Sequence, residues 1–146
     1  MKTVHKSVLI WYSPEEMFSL VTGVEHYPQF LPWCDHAAVL EQTSEGMIAE
    51  VGIAFSGIRQ TFVTRNTHEA GKRVQMHLVK GPFSRLDGDW HFHPVGDGTQ
   101  RACKVELLLN YGFDSAALAA LVGPVFDRIA GSMVDAFVKR AEQVYG

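Results

Sequence analysis

His91 and His93 stand two residues apart, so on a strand both imidazoles point to one side. That is metal-ligand spacing, but zinc needs a third and usually a fourth nitrogen or sulfur ligand. None accompanies them at metal spacing, and their face reads as solvent, so they are expected to be surface histidines with no metal bound. Cys34 has His36 as its one basic neighbour and reads as an inert thiol. Tyr111 is the one clear titratable group on an apolar strand face, since His77 falls opposite Met76 and Leu78. Its hydroxyl could meet a ligand carbonyl; a structural hydroxyl is the favoured reading. Acid–base catalysis needs a proton donor and an acceptor held together in a pocket, and the apolar strand faces carry no Asp or Glu. The chain has no P-loop, no GxSxG and no dinucleotide fingerprint. Gly96-Asp97-Gly98 reads as a hairpin turn. No catalytic residues are expected.

The bulk properties narrow the class further. The chain has 146 residues, enough for one domain with a substantial core. Hydrophobic residues make up 47% and charged ones 20%, so apolar surface must be hidden in a core, a cavity or an interface. The net charge of −3 and sequence pI of about 6.1 lack the basic excess on which phosphate-binding affinity rests. Direct DNA binding is not expected. Cys34 and Cys103 lie far apart and form no CxxC pair, which fits reduced thiols in a cytosol. The first six residues lack the apolar run of a signal peptide, and no stretch approaches the roughly 20 apolar residues of a membrane span. A cytoplasmic protein is expected, with peripheral contact at a membrane at most.

The elements that must position these side chains follow from periodicity. Residues 3–11 read as a strand. Ser13-Pro14-Glu15-Glu16 then starts a helix with a capping hydroxyl, proline in the first turn and acidic residues beside it. It runs to about Thr22 and stops at Gly23. Residues 24–33 follow as short turns broken by Pro28 and Pro32, rich in aromatics. From Cys34 to Phe113 about six strands alternate apolar and polar faces between glycine-bearing turns. Met47, Ala49, Val51, Ile53 and Phe55 share one face; Leu86, Gly88, Trp90 and Phe92 share another. Cys103, Val105, Leu107, Leu109, Tyr111 and Phe113 form a third row. The last 32 residues are a long helix, capped by Asp114 or Ser115, with Leu118, Val122, Val125, Ile129, Met133 and Phe137 at helical spacing. Asp127, Arg128, Asp135, Lys139 and Glu142 fall on the opposite side. The fold class is α+β: a curved antiparallel sheet of about seven strands wrapped around a long C-terminal helix, with two short helices after the first strand.

One helix cannot cover seven strands, so a space is expected between helix, sheet and short helices. Its walls are the apolar strand faces, which suit an apolar ligand with a few polar groups for orientation. Burying one five-carbon isoprenoid unit gains roughly 4 kcal/mol gross, at about 0.8 kcal/mol per CH₂. The same residues could instead simply fill a core. Tyr27, Phe30, Leu31 and Trp33 read either as a lid over the space or as a contact with a membrane interface, which Trp and Tyr favour.

Three motifs carry a family resemblance. YSPEEMF over residues 12–18, with VEHYPQFLPWC over 24–34, resembles the opening of the coenzyme Q-binding, START-like family, also labelled polyketide cyclase/dehydrase and including RatA-like bacterial members. GPFSRLDGDW over 81–90 resembles its middle signature. GPVFDRIA over 123–130, with MVDAF over 133–137, resembles its closing helix. The match covers essentially the whole chain. The resemblance implies a helix-grip fold with a hydrophobic tunnel and binding of ubiquinone or a similar polyisoprenoid, delivered to a respiratory complex. For RatA-like members it implies a second role, binding the large ribosomal subunit and inhibiting translation. An aromatase or cyclase activity is the lesser alternative, and no resident cofactor is required. This chain begins almost directly at its first strand, without the presequence of eukaryotic members, so a bacterial cytosolic protein is expected.

On this reading Val51, Ile53, Phe62, Leu78, Trp90, Phe92, Leu107, Leu109 and Tyr111 form the sheet wall. Leu118, Leu121, Val122, Val125, Phe126 and Ile129 face them from the helix. Phe30, Leu31, Trp33 and Phe83 stand at the mouth, and Arg59 and Gln60 are candidates for a quinone head.

Overall fold

A computed structural model describes residues 1–146. Strand β1 (Lys2–Ile10) leads into helix α1 (Pro14–Thr22) and a 3₁₀ segment (Val24–Gln29). Six strands follow: β2 (Cys34–Gln42), β3 (Gly46–Phe55), β4 (Ile58–Glu69), β5 (Arg73–Lys80), β6 (Phe83–Pro94) and β7 (Cys103–Phe113). The chain ends in α2 (Ala116–Tyr145). The sheet has seven strands in the order β1-β7-β6-β5-β4-β3-β2, every neighbouring pair antiparallel. This is the element order expected from the alternation pattern and the helix-grip architecture implied by the family resemblance.

Register shifts mark where the sheet bends. They fall between Cys34 and His36, Val39 and Glu41, Val63 and Thr64, and Phe83 and Arg85. A bulge kinks its strand and increases local twist, so these irregularities curl the sheet around α2. Gly81, with φ of +154°, makes the tight β5–β6 turn; a Cβ there would lie 2.7 Å from Phe62 Cβ.

The start of α1 is a full capping box. The Ser13 N–H donates to Glu16 Oε1 at 2.8 Å, and the Glu16 N–H donates to Ser13 Oγ at 3.1 Å. Arg101, from the β6–β7 loop, adds two bonds to the Glu16 carboxylate at 2.9 and 2.7 Å. Tyr145, at the end of α2, donates to the Glu16 carbonyl at 2.9 Å. One glutamate thus ties α1, a distant loop and the C-terminus together.

That junction has a pH signature. The Arg101 hydrogen bonds, outweighing burial, hold the Glu16 carboxyl at about 2 against an ordinary 4.5. A depressed folded-state pKa stabilises the fold above the unfolded pKa, and the contribution is lost as pH falls through the folded one. Urea unfolding of wild type and Glu16→Gln should therefore differ most above about pH 5 and converge toward pH 2. Curves that stay parallel throughout would show the junction to be energetically silent.

The apolar side chains form two clusters beneath α2. One joins Leu31, Trp33, β2, β3 and the middle of α2, through Val125, Phe126, Ile129 and Ala130. The other joins α1, β1, β6, β7 and the later turns of α2, through Val134, Phe137 and Ala141. Tyr27, Phe30 and Met133 pack against both. Contrary to the sequence reading, α2 is long and apolar enough to cross a membrane by length and composition, with mean hydropathy of 1.4 over 18 residues. The surplus combines the stripe packed on the sheet with exposed alanines on its first turns.

Candidate functional site

A cavity lies between α2 and the concave face of the sheet. Ala49 and Val51 of β3, Phe62 of β4, Met76 of β5, Leu86 and Trp90 of β6, and Leu107 and Leu109 of β7 form its sheet wall. Phe126, Ile129, Met133 and Phe137 come down from α2, and Val24, Tyr27 and Trp33 close the end near the 3₁₀ segment. Alternation places one side chain in two on the concave face of each strand. That is why the lining residues recur at spacing two: Ala49 and Val51, Leu107 and Leu109.

The free volume is small. It is about 70 Å³, against roughly 300–1,000 Å³ for typical small-molecule sites. The side chains have largely closed over the space, and a ligand of quinone size has to part them.

Only two lining residues are polar, Thr64 and Asn66, both on β4. They are 4% and 6% exposed, and the Thr64 hydroxyl donates to Asn66 Oδ1 at 2.7 Å. Periodicity alone misses them. β4 reads Phe62-Thr64-Asn66-His68 on one face, which looks wet beyond its first residue. The detectable signal was their place opposite Ala49 and Met47 of the adjoining dry row.

Two tyrosine hydroxyls near the cavity are already engaged, whereas the Trp33 and Trp90 indole N–H groups have no partner in the protein. The Tyr27 hydroxyl donates to the Val21 carbonyl, and burial pushes its phenol far above the ordinary range. The Tyr111 hydroxyl donates to the Asp127 carboxylate, which also receives Lys2 Nζ. Burial and that carboxylate both push the Tyr111 phenol up. Burial would raise Asp127, but the bonds from Lys2 and Tyr111 prevail and its carboxyl sits below the ordinary value. Tyr111 thus pins the first half of α2 to β7 and faces a cleft beside Met1, Ser115 and Pro124. Asp127, placed on the wet side by helical periodicity, is in fact the partner of a core tyrosine.

Of the anticipated wall residues, Trp33, Val51, Phe62, Trp90, Leu107, Leu109, Phe126 and Ile129 converge on the cavity. Leu31, Ile53, Phe83, Phe92, Val122 and Val125 are buried in the packing around it, and Phe30 and Leu78 are half-buried beside it. Four expectations are corrected. Leu121 is 61% exposed; it sits one step, about 100°, round the helix from Val122, past the edge of the buried stripe. Leu118 is half-buried on the first turns of α2, outside the cavity. The Arg59 side chain is 81% exposed, with Asp35 at 3.8 Å, because the Ser56-Gly57 turn carries it out to solvent. Gln60 follows it and also lies outside the cavity.

The remaining chemistry-bearing groups are on the convex side or sealed. His91 and His93 stack at 5.4 Å and pair with Asp89 at 3.2 Å and Glu106 at 3.0 Å. Bonds from His5 and His93 hold the Glu106 carboxyl at about 2. No three His, Cys, Asp or Glu side chains are grouped to hold a metal. Burial pushes the Cys34 and Cys103 thiols up to about 11. At pH 8 a disulfide reagent should label them roughly 100-fold more slowly than thiols of ordinary pKa, because the thiolate is the nucleophile. Fast labelling of the folded protein would contradict this.

The comparisons accord with this geometry. Residues 10–138 match the family model described as polyketide cyclase/dehydrase and lipid transport. The ribosome association toxin RatA of Vibrio cholerae is 44% identical over 146 residues, covering 100% of this chain and 99% of its own. RatA of Escherichia coli K12 is 40% identical, covering 99% and 90%. The mitochondrial coenzyme Q-binding protein COQ10 homolog B of Xenopus laevis is 28% identical, covering 97% of this chain and 58% of that one. Among solved structures, an 18 kDa protein of Caulobacter crescentus aligns at TM-score 0.76 with 32% identity, over 100% and 99% of the two chains. A START superfamily protein of Mycobacterium smegmatis aligns at TM-score 0.81 with 20% identity, over 97% and 98%. An aromatase/cyclase of Streptomyces aligns at 0.85 with 12% identity, over 99% and 96%, a likeness of fold alone. The sequence relatives are named for ribosome association and coenzyme Q binding. With matches spanning nearly its whole length, the chain belongs to the polyketide cyclase/dehydrase and lipid transport family and is RatA-like in sequence.

Proposed function

We propose that the protein takes a neutral, largely apolar isoprenoid of the ubiquinone type into the space beneath α2 and acts as its carrier, supplying a respiratory complex. The observation that carries this reading is the lining: apolar from five strands and one helix, with one buried polar pair. Loading requires the cavity to widen. The contacts that must part are at its aromatic end, where the Tyr27 and Phe30 rings meet Phe137 edge-on at 5.6 and 5.2 Å. Arg140 lies over Phe30 at 5.0 Å and donates to Gln29 at 2.8 Å, latching the 3₁₀ segment to α2. A cytoplasmic protein touching the inner membrane peripherally while loading fits this mechanism, and the protein needs no cofactor of its own.

The test is solvent extraction of protein purified from bacterial cells, followed by mass spectrometry, with a quinone titration read by tryptophan fluorescence. Trp33 and Trp90 line the cavity, so quinone entry should quench them. No co-purified isoprenoid together with unchanged fluorescence overturns the reading.

A second reading is favoured by the whole-chain identity of 40–44% to proteins named ribosome association toxins. On it the protein binds the large ribosomal subunit through its surface and blocks translation. Sucrose gradients with added protein should then lose the intact ribosome peak while free subunits increase; an unchanged profile rejects it. One reading uses the cavity and the other the exterior, so the two functions can coexist.

A further inference from the structure

The Thr64–Asn66 pair is more than packing. The Thr64 hydroxyl occupies one end of the Asn66 amide at 2.7 Å. The other end, Nδ2, has no hydrogen-bond partner in the protein, yet no buried polar side-chain atom is sealed off without one. Asn66 is only 6% exposed and lines the cavity, so that unsealed nitrogen is available to a group entering the free space. Turning the amide over exchanges the two ends, because a hydroxyl can donate or accept. Either way one polar atom of Asn66 is spoken for and the other is offered to the cavity. A buried amide left without a partner is costly, and β4 could have carried apolar residues at both positions.

No charged side chain lines the cavity. A carboxylate or phosphate drawn inside would lose its water and meet no cation, which is strongly unfavourable. A carbonyl oxygen or a hydroxyl would meet a matching partner in the Asn66 amide. We propose that Asn66, oriented by Thr64, is the polar recognition point of the cavity. It would take the neutral oxygen of an apolar ligand, whether carbonyl or hydroxyl, and so select neutral isoprenoids over fatty acids. Because the amide can present either end, an oxidised quinone and its reduced quinol are both accepted. This rests on the reading that the cavity holds an apolar ligand.

The experiment is calorimetric titration of the full chain with three probes of equal alkyl length: a short-chain ubiquinone, an alkylbenzene without oxygen, and a fatty acid at neutral pH. The wild type should bind the quinone about tenfold more tightly than the alkylbenzene, the worth of roughly one buried hydrogen bond. It should bind the fatty acid more weakly than either. Asn66→Leu should lose about tenfold for the quinone and nothing for the alkylbenzene, erasing the preference. Should Asn66→Leu not fold, Thr64→Val, which frees the amide to rotate, should weaken quinone binding severalfold and leave the alkylbenzene unchanged. Equal quinone affinity in wild type and the folded variant, or a wild type that prefers the fatty acid, overturns the assignment of Asn66 while leaving the carrier reading standing. If none of the three probes binds the wild type, the carrier reading fails and this inference fails with it.

Discussion

Phe137→Ala should destabilise the fold by about 3–5 kcal/mol, the usual range for removing a buried phenyl group. Phe137 is fully buried on α2 and touches three other aromatic rings edge-on: Tyr27 at 5.6 Å, Phe30 at 5.2 Å and Trp90 at 5.3 Å. It thereby fastens the long helix both to the 3₁₀ segment and to the centre of the sheet. Two terms add when it goes: the lost transfer of the ring from water, and the void its neighbours cannot refill. The void also joins the existing cavity, which Phe137 lines. An enlarged dry apolar space binds small aromatics, and a ligand that binds only the folded state stabilises it in proportion to its saturation. Urea unfolding should show the loss, and added benzene or indole should restore part of it in the variant while leaving wild type unmoved. A loss below about 1 kcal/mol would mean that α2 is not held by this ring.

Most of the architecture was legible because it depends on period and punctuation. The Ser13-Pro14 start of α1, the Met47–Phe55 and Cys103–Tyr111 rows and the α2 stripe all follow from backbone geometry that repeats regularly. The cavity was half legible for the same reason, since any residue on a dry row faces it or packs beside it. What failed were positions where the local rule and the tertiary setting diverge. Thr64 and Asn66 are polar on an inward face, so hydropathy sends them to solvent while the ladder turns them in. Arg59 and Gln60 read as candidates for a quinone head, but the turn at Ser56-Gly57, where both residues have positive φ, takes the chain to the rim first. Leu121 is apolar and helical, yet the first turns of α2 present that side to water. The free volume is set by which rotamers interlock across the space, and no periodicity reports that.

Ala49→Leu should abolish binding of an apolar ligand beneath α2, by roughly 100-fold or more, about 2.8 kcal/mol, while leaving the protein folded. Ala49 is buried on β3, lines the cavity and sits opposite Thr64 in the β3–β4 ladder. Its Cβ therefore points into the free space of about 70 Å³, and three added carbons occupy it. Overpacking a tight core costs about 1–3 kcal/mol; here the new atoms enter a void and gain contacts the wild type lacks, so the net change in stability should lie at or below the low end. Unaltered quinone binding by a folded Ala49→Leu would place the ligand elsewhere. The same variant separates the two functional readings, because it leaves every exposed side chain in place. A ribosome profile that responds to Ala49→Leu as it does to wild type puts that activity on the surface, independent of the cavity. A response lost together with quinone binding means that occupancy of the cavity controls the surface. A ligand that shifts a conformational equilibrium must bind its two states unequally, and the contacts between Phe137 and the 3₁₀ segment are the element through which that inequality would act.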